Sequence, residues 1–238
     1  MPALACLADL HFGRDSAGAL RAPLESVCAA VDAILIAGDL TRGGAVEEAE
    51  VLADELRPLE IPIVSVLGNH DFHRGEQELI GRTMRKSGVI VLEASCHVLR
   101  VGEIEIGIAG VKGFGGGFDR ACLDDFGEPE TKAFIRHTQR ASAALRAQLA
   151  ALRADRKIAL LHYSPTRETL GAESPEIFPF LGSSLLGEAI DEAGADLVLH
   201  GHAHAGVEKG ATPGGVPVRN VAQSVLGAPC AVYELAAT

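Results

Sequence analysis

The sequence predicts an α/β protein built on mixed β-sheets. Two observations carry this reading. Short β-rich runs alternate with helical patterns through the first third of the chain, and the middle third opens with short strand-like runs that follow one another directly. Alternation implies parallel strands joined by right-handed helical crossovers, whereas consecutive short strands suggest antiparallel hairpins.

The elements follow in order. "ALACLAD" reads as a buried strand, then a helix over roughly Ala17 to Val31. "AILIAGD" is the second strand, and "AVEEAEVLADELRPL" a helix that Pro58 stops. "IPIVSVLGNHD" gives a third strand and turn, and "EQELIGRTMRKSG" a third helix ending at Gly88. "GVIVLEAS", "CHVLRV" and "EIEIGIAG" read as hairpin strands. A glycine-dense stretch, "GVKGFGGGFD", leads to a long helix from about Pro129 to Ala154. Pro129 suits its first position, and Leu145, Leu149 and Leu152 form its apolar stripe. "KIALLHYS", a helix over roughly Ser183 to Ala193, "ADLVLHG", and closing strands around "VPVRNVA" and "CAVYEL" complete the chain. No repeat and no linker marks a boundary, so residues 1–238 read as one domain.

Composition narrows the function. The net charge is −11 with no Lys/Arg block, which argues against broad electrostatic binding of nucleic acid. It leaves room for a small phosphate substrate, because a metal ion inverts the local field. No apolar run is long enough for a membrane helix, and "MPALACLADLHFG" lacks the basic start of a signal peptide, so a cytoplasmic protein without membrane contact is expected. The five cysteines are widely spaced with no CxxC pair, and read as small buried apolar residues.

The chemistry collects at the C-terminal ends of the expected strands, where open α/β sheets bind ligands. Asp9 and His11 follow the first strand, Asp39 the second, and Asn69, His70 and Asp71 the third; His162, His202 and His204 follow two late ones. Taken singly, Asp9 or Asp39 reads equally well as a turn or cap residue. Taken together, carboxylate, amide and imidazole suit Mn, Fe or Zn. In extended chain, residues i and i+2 share a side, so Asp9 with His11, and His202 with His204, are expected to converge. Gly38 and Gly68 would allow sharp turns or close backbone approach beside the ligands.

In this order "DLH", "GD", "GNHD", "HYS" and "GHAH" resemble the motif blocks of the calcineurin-like metallophosphoesterases, over residues 9 to 204. The resemblance implies a four-layer αββα fold: two mixed sheets packed as a sandwich and flanked by helices. It also implies two divalent or trivalent metal ions. One would be held by Asp9, His11, Asp39 and His204, the other by Asp39, Asn69, His162 and His202, with Asp39 bridging. Such a pair activates a hydroxide for in-line attack on phosphorus. His70 would stand beside the metals as a general acid or a donor to a phosphoryl oxygen, with Asp71 orienting His70 or its loop. Two divalent ions against Asp9, Asp39 and one hydroxide leave a positive charge that favours a phosphate anion.

The expected activity is therefore hydrolysis of a small phosphodiester or phosphomonoester. A nuclease of the same superfamily and a non-catalytic scaffold on the same fold are the alternatives. Metal identity, oligomeric state and natural substrate stay open. His200 is expected to support the ligands rather than join them. His73, His97 and His137 read as surface or packed residues, with a substrate contact open at His73. Arg14 is either a phosphate contact or a solvated charge. The 113–117 glycine run fails the P-loop pattern and reads as a flexible loop near the site. Within the long 163–182 loop, Tyr163, Arg167 and Phe178 are candidates for setting specificity.

Overall fold

A computed structural model describes residues 1–235. Two mixed sheets pack face to face between two layers of helices, the architecture that the resemblance implies. The first sheet runs in the order β11-β1-β2-β3-β4: β1 (Ala3–Leu7), β2 (Ala33–Ala37), β3 (Ile63–Val66) and β4 (Ile90–Val91) are parallel, and β11 (Ala231–Glu234) lies antiparallel on β1. The second sheet contains β5 (Ser95–Val101), β6 (Ile104–Gly110), β7 (Arg156–Leu160), β8 (Leu197–His200), β10 (Pro217–Asn220) and β9 (Lys209–Ala211), in that spatial order.

Alternation along the strands builds the layers. In β1 and β2, Leu4, Cys6, Ala33 and Leu35 face the second sheet, where they meet Ile106, Ile108, Leu160 and Leu199. Their neighbours Ala5, Leu7, Ile34 and Ile36 face outward and are covered by Leu24 of α1 (Arg21–Cys28), Leu52 and Leu56 of α2 (Val46–Leu56), and Ile80 and Met84 of α3 (Gln77–Lys86). On the far face, Ala159 and Val198 pack under Leu145, Leu149 and Leu152 at α4 (Pro129–Ala151), and under Leu186 and Ile190 of α6 (Ser184–Ala193). Each such buried leucine or isoleucine contributes about 1.5–3 kcal/mol. Two one-turn helices, α5 (Phe178–Leu181) and α7 (Gln223–Leu226), complete the elements. Among the described residues no helix is long and apolar enough to cross a membrane.

Several sequence expectations are corrected. "GVIVLEAS" is no hairpin arm: β4 pairs in parallel with β3 and ends the first sheet, and only β5 and β6 form the antiparallel hairpin. α1 begins at Arg21 rather than near Ala17, because the Glu55 carboxylate of α2 accepts the backbone N–H groups of Gly18, Leu20 and Arg21 at 2.9–3.1 Å and holds the preceding residues out of the helix. α4 stops at Ala151, where Leu152 turns extended (ψ 131°). The short strand β9 was not foreseen. Of the cysteines, all free, only Cys6 is fully buried; Cys28, Cys96, Cys122 and Cys230 are half-buried.

The glycine run is not a loose loop. Gly116 N–H donates to the Pro179 carbonyl at 2.7 Å, Gly117 N–H donates to that of Gly182 at 2.9 Å, and the Thr138 hydroxyl donates to the Gly115 carbonyl. A Cβ at Gly115 would lie 2.3 Å from the Pro179 oxygen, so the residue is small because two backbones meet there. The 163–182 segment is likewise structured, with two 3-10 turns, Arg167–Thr169 and Pro175–Ile177, before α5.

Candidate metal centre

All parallel strands of a sheet end on the same side, and here both sheets present those ends to one cleft. β1, β2 and β3 bring Asp9, His11, Asp39 and Asn69; β7 and β8 bring His162, His202 and His204. Two groups result. Asp9, His11, Asp39 and His204 offer donor atoms within 4.8 Å of one another, as do Asp39, His162 and His202, so either group could hold a metal ion, with Asp39 in both. Asn69 joins the second, with Oδ1 2.8 Å from His162 Nε2.

The route to this convergence differs from the expected one. β1 ends at Leu7, and Asp9 (φ 59°), His11 (φ 44°), Asp39 (φ 51°) and His202 (φ 70°) all adopt the left-handed backbone conformation. Four of the six non-glycine residues with positive φ among those described are thus candidate ligands. Such conformations cost about 1–3 kcal/mol each and persist where surrounding structure imposes them. Here the imposition is a zipper between the loops after β1 and β2: Asp9, His11 and Phe12 N–H groups donate to Gly38, Asp39 and Leu40 carbonyls at 3.0–3.1 Å. Gly68 permits the approach of the third loop, since a Cβ there would sit 2.0 Å from Asp39 Oδ1.

Hydrogen bonds orient the donors. His162 Nδ1 lies 2.9 Å from the Ala37 carbonyl, which can only accept, so the neutral ring carries its hydrogen there and leaves a lone pair on Nε2. That lone pair faces Asn69 Oδ1 and Asp39 Oδ1, the latter at 3.3 Å. His202 donates Nε2–H to the Phe180 carbonyl at 3.1 Å, leaving Nδ1 free. Fixing a ligand histidine through its other nitrogen is the usual arrangement around a metal. Asp39 Oδ1 accepts the His70 N–H at 2.8 Å, whereas Oδ2 is buried and has no hydrogen-bond partner. His11 Nε2 and His70 Nε2 lie 3.8 and 3.9 Å from that orphaned oxygen. A buried carboxylate oxygen without a donor is costly, and a cation would satisfy it.

Electrostatics acts on the donors in two directions. Burial holds His202 down to about 3 and lowers His11. Burial raises Asp9, but the hydrogen bond from His204, electrostatic attraction toward the nearby His162 and His204 rings, and the His202 N–H together pull it below the usual carboxylate range. His204 is raised, first by its hydrogen bond to Asp9 at 3.0 Å. The shifts of Asp9, His11 and His202 favour ionised carboxylate and neutral imidazole, which suit Mn, Fe or Zn, whereas His204 would have to release the proton it shares with Asp9 before binding one.

The remaining candidates sort themselves by contact. His70 donates Nδ1–H to the Arg42 carbonyl at 2.7 Å and turns Nε2 to the cleft. Asp71 does not touch the His70 ring: its buried carboxylate accepts from Leu40 N, Thr41 N, Thr41 Oγ1 and Gly68 N, pinning the second loop to the third. His200 is buried between the Gly201 carbonyl and the Thr169 hydroxyl, and burial lowers it to about 4. It therefore positions the turn before His202. His73 stacks on His70 with ring centres 4.4 Å apart. His137 packs on Phe114, and His97 lies half-buried on β5. Arg14 pairs with exposed Glu47 at 3.3 Å, and Arg167 with Asp119 at 3.4 Å. Phe178 lies under the Arg167 guanidinium, 5.9 Å from the ring centre. Tyr163 is buried with its ring 4.4 Å from that of His202. Lys112 was not singled out from the sequence, where one lysine before a glycine run gives no signal; its ammonium lies among the rings of Phe72, Phe114 and Tyr163.

The sequence profile of the calcineurin-like phosphoesterases matches residues 3–206. No curated protein matches the chain in sequence. Among solved structures, a phosphopantetheinyl hydrolase from Mycobacterium tuberculosis is similar at 18% identity and a TM-score of 0.67, covering 93% of this chain and 89% of that one. A protein from Thermus thermophilus, TT1561, is similar at 19% identity and a TM-score of 0.56, covering 92% and 88%. A putative 5'-nucleotidase from Staphylococcus aureus is similar at 18% identity and a TM-score of 0.53, covering 92% of this chain and 48% of that one. At these identities the likeness establishes the fold.

Proposed function

The chain belongs to the calcineurin-like phosphoesterase family, and from that premise we propose that it hydrolyses a small phosphoester at a pair of metal ions. Asp9, His11, Asp39 and His204 would hold one ion; Asp39, Asn69, His162 and His202 would hold the other. The single observation that carries this reading is Asp39. It stands in both donor groups, and its buried Oδ2 lacks any hydrogen-bond partner. When bound, such ions supply Lewis acidity, bringing the pKa of water toward about 7 and offsetting charge on phosphoryl oxygens.

The chain's own residues do the rest. His70 is fixed through Nδ1 on the Arg42 carbonyl, so a proton held at its Nε2 points into the cleft. From there it can be donated to a phosphoryl oxygen or to the departing alkoxide, a contribution of about 10²–10⁴-fold for a general acid. Asp71 acts as a positioning residue, since its four hydrogen bonds hold the loops that carry Asp39 and His70. His200 positions the turn before His202 in the same way. We read residues 1–238 as one domain serving this site.

The test is hydrolysis of bis(p-nitrophenyl) phosphate and p-nitrophenyl phosphate by chelator-stripped protein, with and without added Mn. Turnover that returns with metal supports the reading, and the preferred ester tells diesters from monoesters. Absence of turnover on both, with two metal equivalents bound, would count against it.

A further inference from the structure

Beside the centre lies a cleft of about 240 Å³ whose walls include Phe72, Leu92, Lys112 and His137. Phe72 closes the 3-10 turn His70–Phe72, so the cleft begins where the third strand's ligand loop ends. Lys112 follows β6 by two residues, and its carbonyl accepts the His162 and Tyr163 N–H groups at 3.0–3.1 Å. The lysine is thereby tied to the strand end that carries His162.

The surroundings of its ammonium are unusual. Nζ lies 5.0 Å from the ring centre of Phe72, 4.8 Å from that of Phe114 and 4.9 Å from that of Tyr163. Aromatic faces hold a cation through their quadrupoles, but they leave the N–H donors without strong acceptors. The hydrogen bond at Nζ is a long one, 3.3 Å to the Gly113 carbonyl, and among the described residues no carboxylate lies within ion-pair distance. Glu93, on the same cleft, is already paired with Arg85 at 2.7 Å. Burial lowers Lys112 to about 8, with Asp39 acting in the opposite direction. The cleft thus presents ammonium donors that the protein itself leaves unmet, beside apolar walls.

Position decides what they would meet. The Tyr163 ring neighbours both groups, its centre 4.9 Å from Lys112 Nζ and 4.4 Å from the His202 ring centre, which sets the ammonium about a ring's breadth from the donors. An ester whose phosphorus lay against the centre would therefore reach Lys112 with a more distant group. We propose that Lys112 binds a second anionic group of the substrate, carried by its alcohol portion, while Phe72 and Leu92 receive the apolar body between the two anions. The substrate class is then a phosphoester with a carboxylate or second phosphate one ring-width from the scissile phosphorus. This rests on the phosphoesterase reading above.

The test measures binding, not turnover. Calorimetry on Mn-loaded protein compares benzylphosphonate with 4-carboxybenzylphosphonate, neither of which is hydrolysed. The wild type is expected to prefer the carboxylated ligand by about tenfold or more, as for a charge-assisted hydrogen bond. Lys112→Met should bring the ratio close to one with metal content intact, and Lys112→Arg should restore most of it. A wild type without preference, or an equal preference in Lys112→Met, would overturn the proposal and leave the phosphoesterase reading standing. If the metal-loaded wild type binds neither phosphonate and hydrolyses no phosphoester, both readings fall together.

Discussion

Asp39 and His70 sit side by side yet fail differently when changed. Asp39 has one oxygen committed to the His70 N–H and the other unpartnered between two imidazoles. Asp39→Asn replaces a charge shared by both donor groups with a neutral amide. It should lose metal from both sites, with a drop in kcat/KM beyond the ~10–100-fold typical of disturbing an outer partner of a metal ligand. His70→Ala removes no member of either group. Metal content by elemental analysis should stay at wild type while turnover falls about 10²–10⁴-fold; loss of metal in His70→Ala would refute its assignment. These residues were readable from the sequence because each follows a recognisable strand and is marked by type and order. Lys112 was not, because its meaning comes from three rings whose positions 72, 114 and 163 are scattered along the chain.

Helix α1 owes its start to a carboxylate from α2. Burial pushes Glu55 up, but the N–H groups of Arg21, Gly18 and Leu20 and the Arg21 charge outweigh it, so its pKa is lowered. A group depressed in the folded state stabilises above its unfolded pKa, about 4.3 for Glu, and loses that contribution as pH falls through the folded value. Glu55→Ala should therefore cost about 1–3 kcal/mol near neutral pH. Urea denaturation should show the gap to wild type closing as pH drops below about 4; a gap that widens in acid would contradict this origin. The same bond explains why the sequence placed the helix start four residues early: a cap supplied from 34 residues downstream leaves no local signature. β4 was misassigned for a related reason. Two paired residues followed by a crossing resemble a hairpin arm locally, and only the partner strand tells them apart.

The centre straddles a seam. Asp9, His11, Asp39 and Asn69 belong to the first sheet's loops, His162, His202 and His204 to the second's, and the core between the sheets keeps them in register. The layered architecture was legible because the motif blocks resemble a family with that fold, and the mixed strand pattern is consistent with it. The left-handed turns that aim the candidate ligands were not, since aspartate and histidine seldom adopt them without tertiary support. An ion bound across the seam would tie the two sheets together. Adding Mn to chelator-stripped protein at about 100 times its Kd should raise Tm by roughly 5–10 °C, and scanning calorimetry that finds no shift would argue against a bound ion. The topology also sets an order of events during synthesis. Asp9 and Asp39 leave the ribosome early, but His202 and His204 come 163 residues or more after Asp39, and β11 must then return to pair with β1. A nascent chain therefore exposes Asp9, His11 and Asp39 long before His162, His202 and His204 arrive, and loading of an ion that needs all of them would be one of the last steps in the birth of the protein.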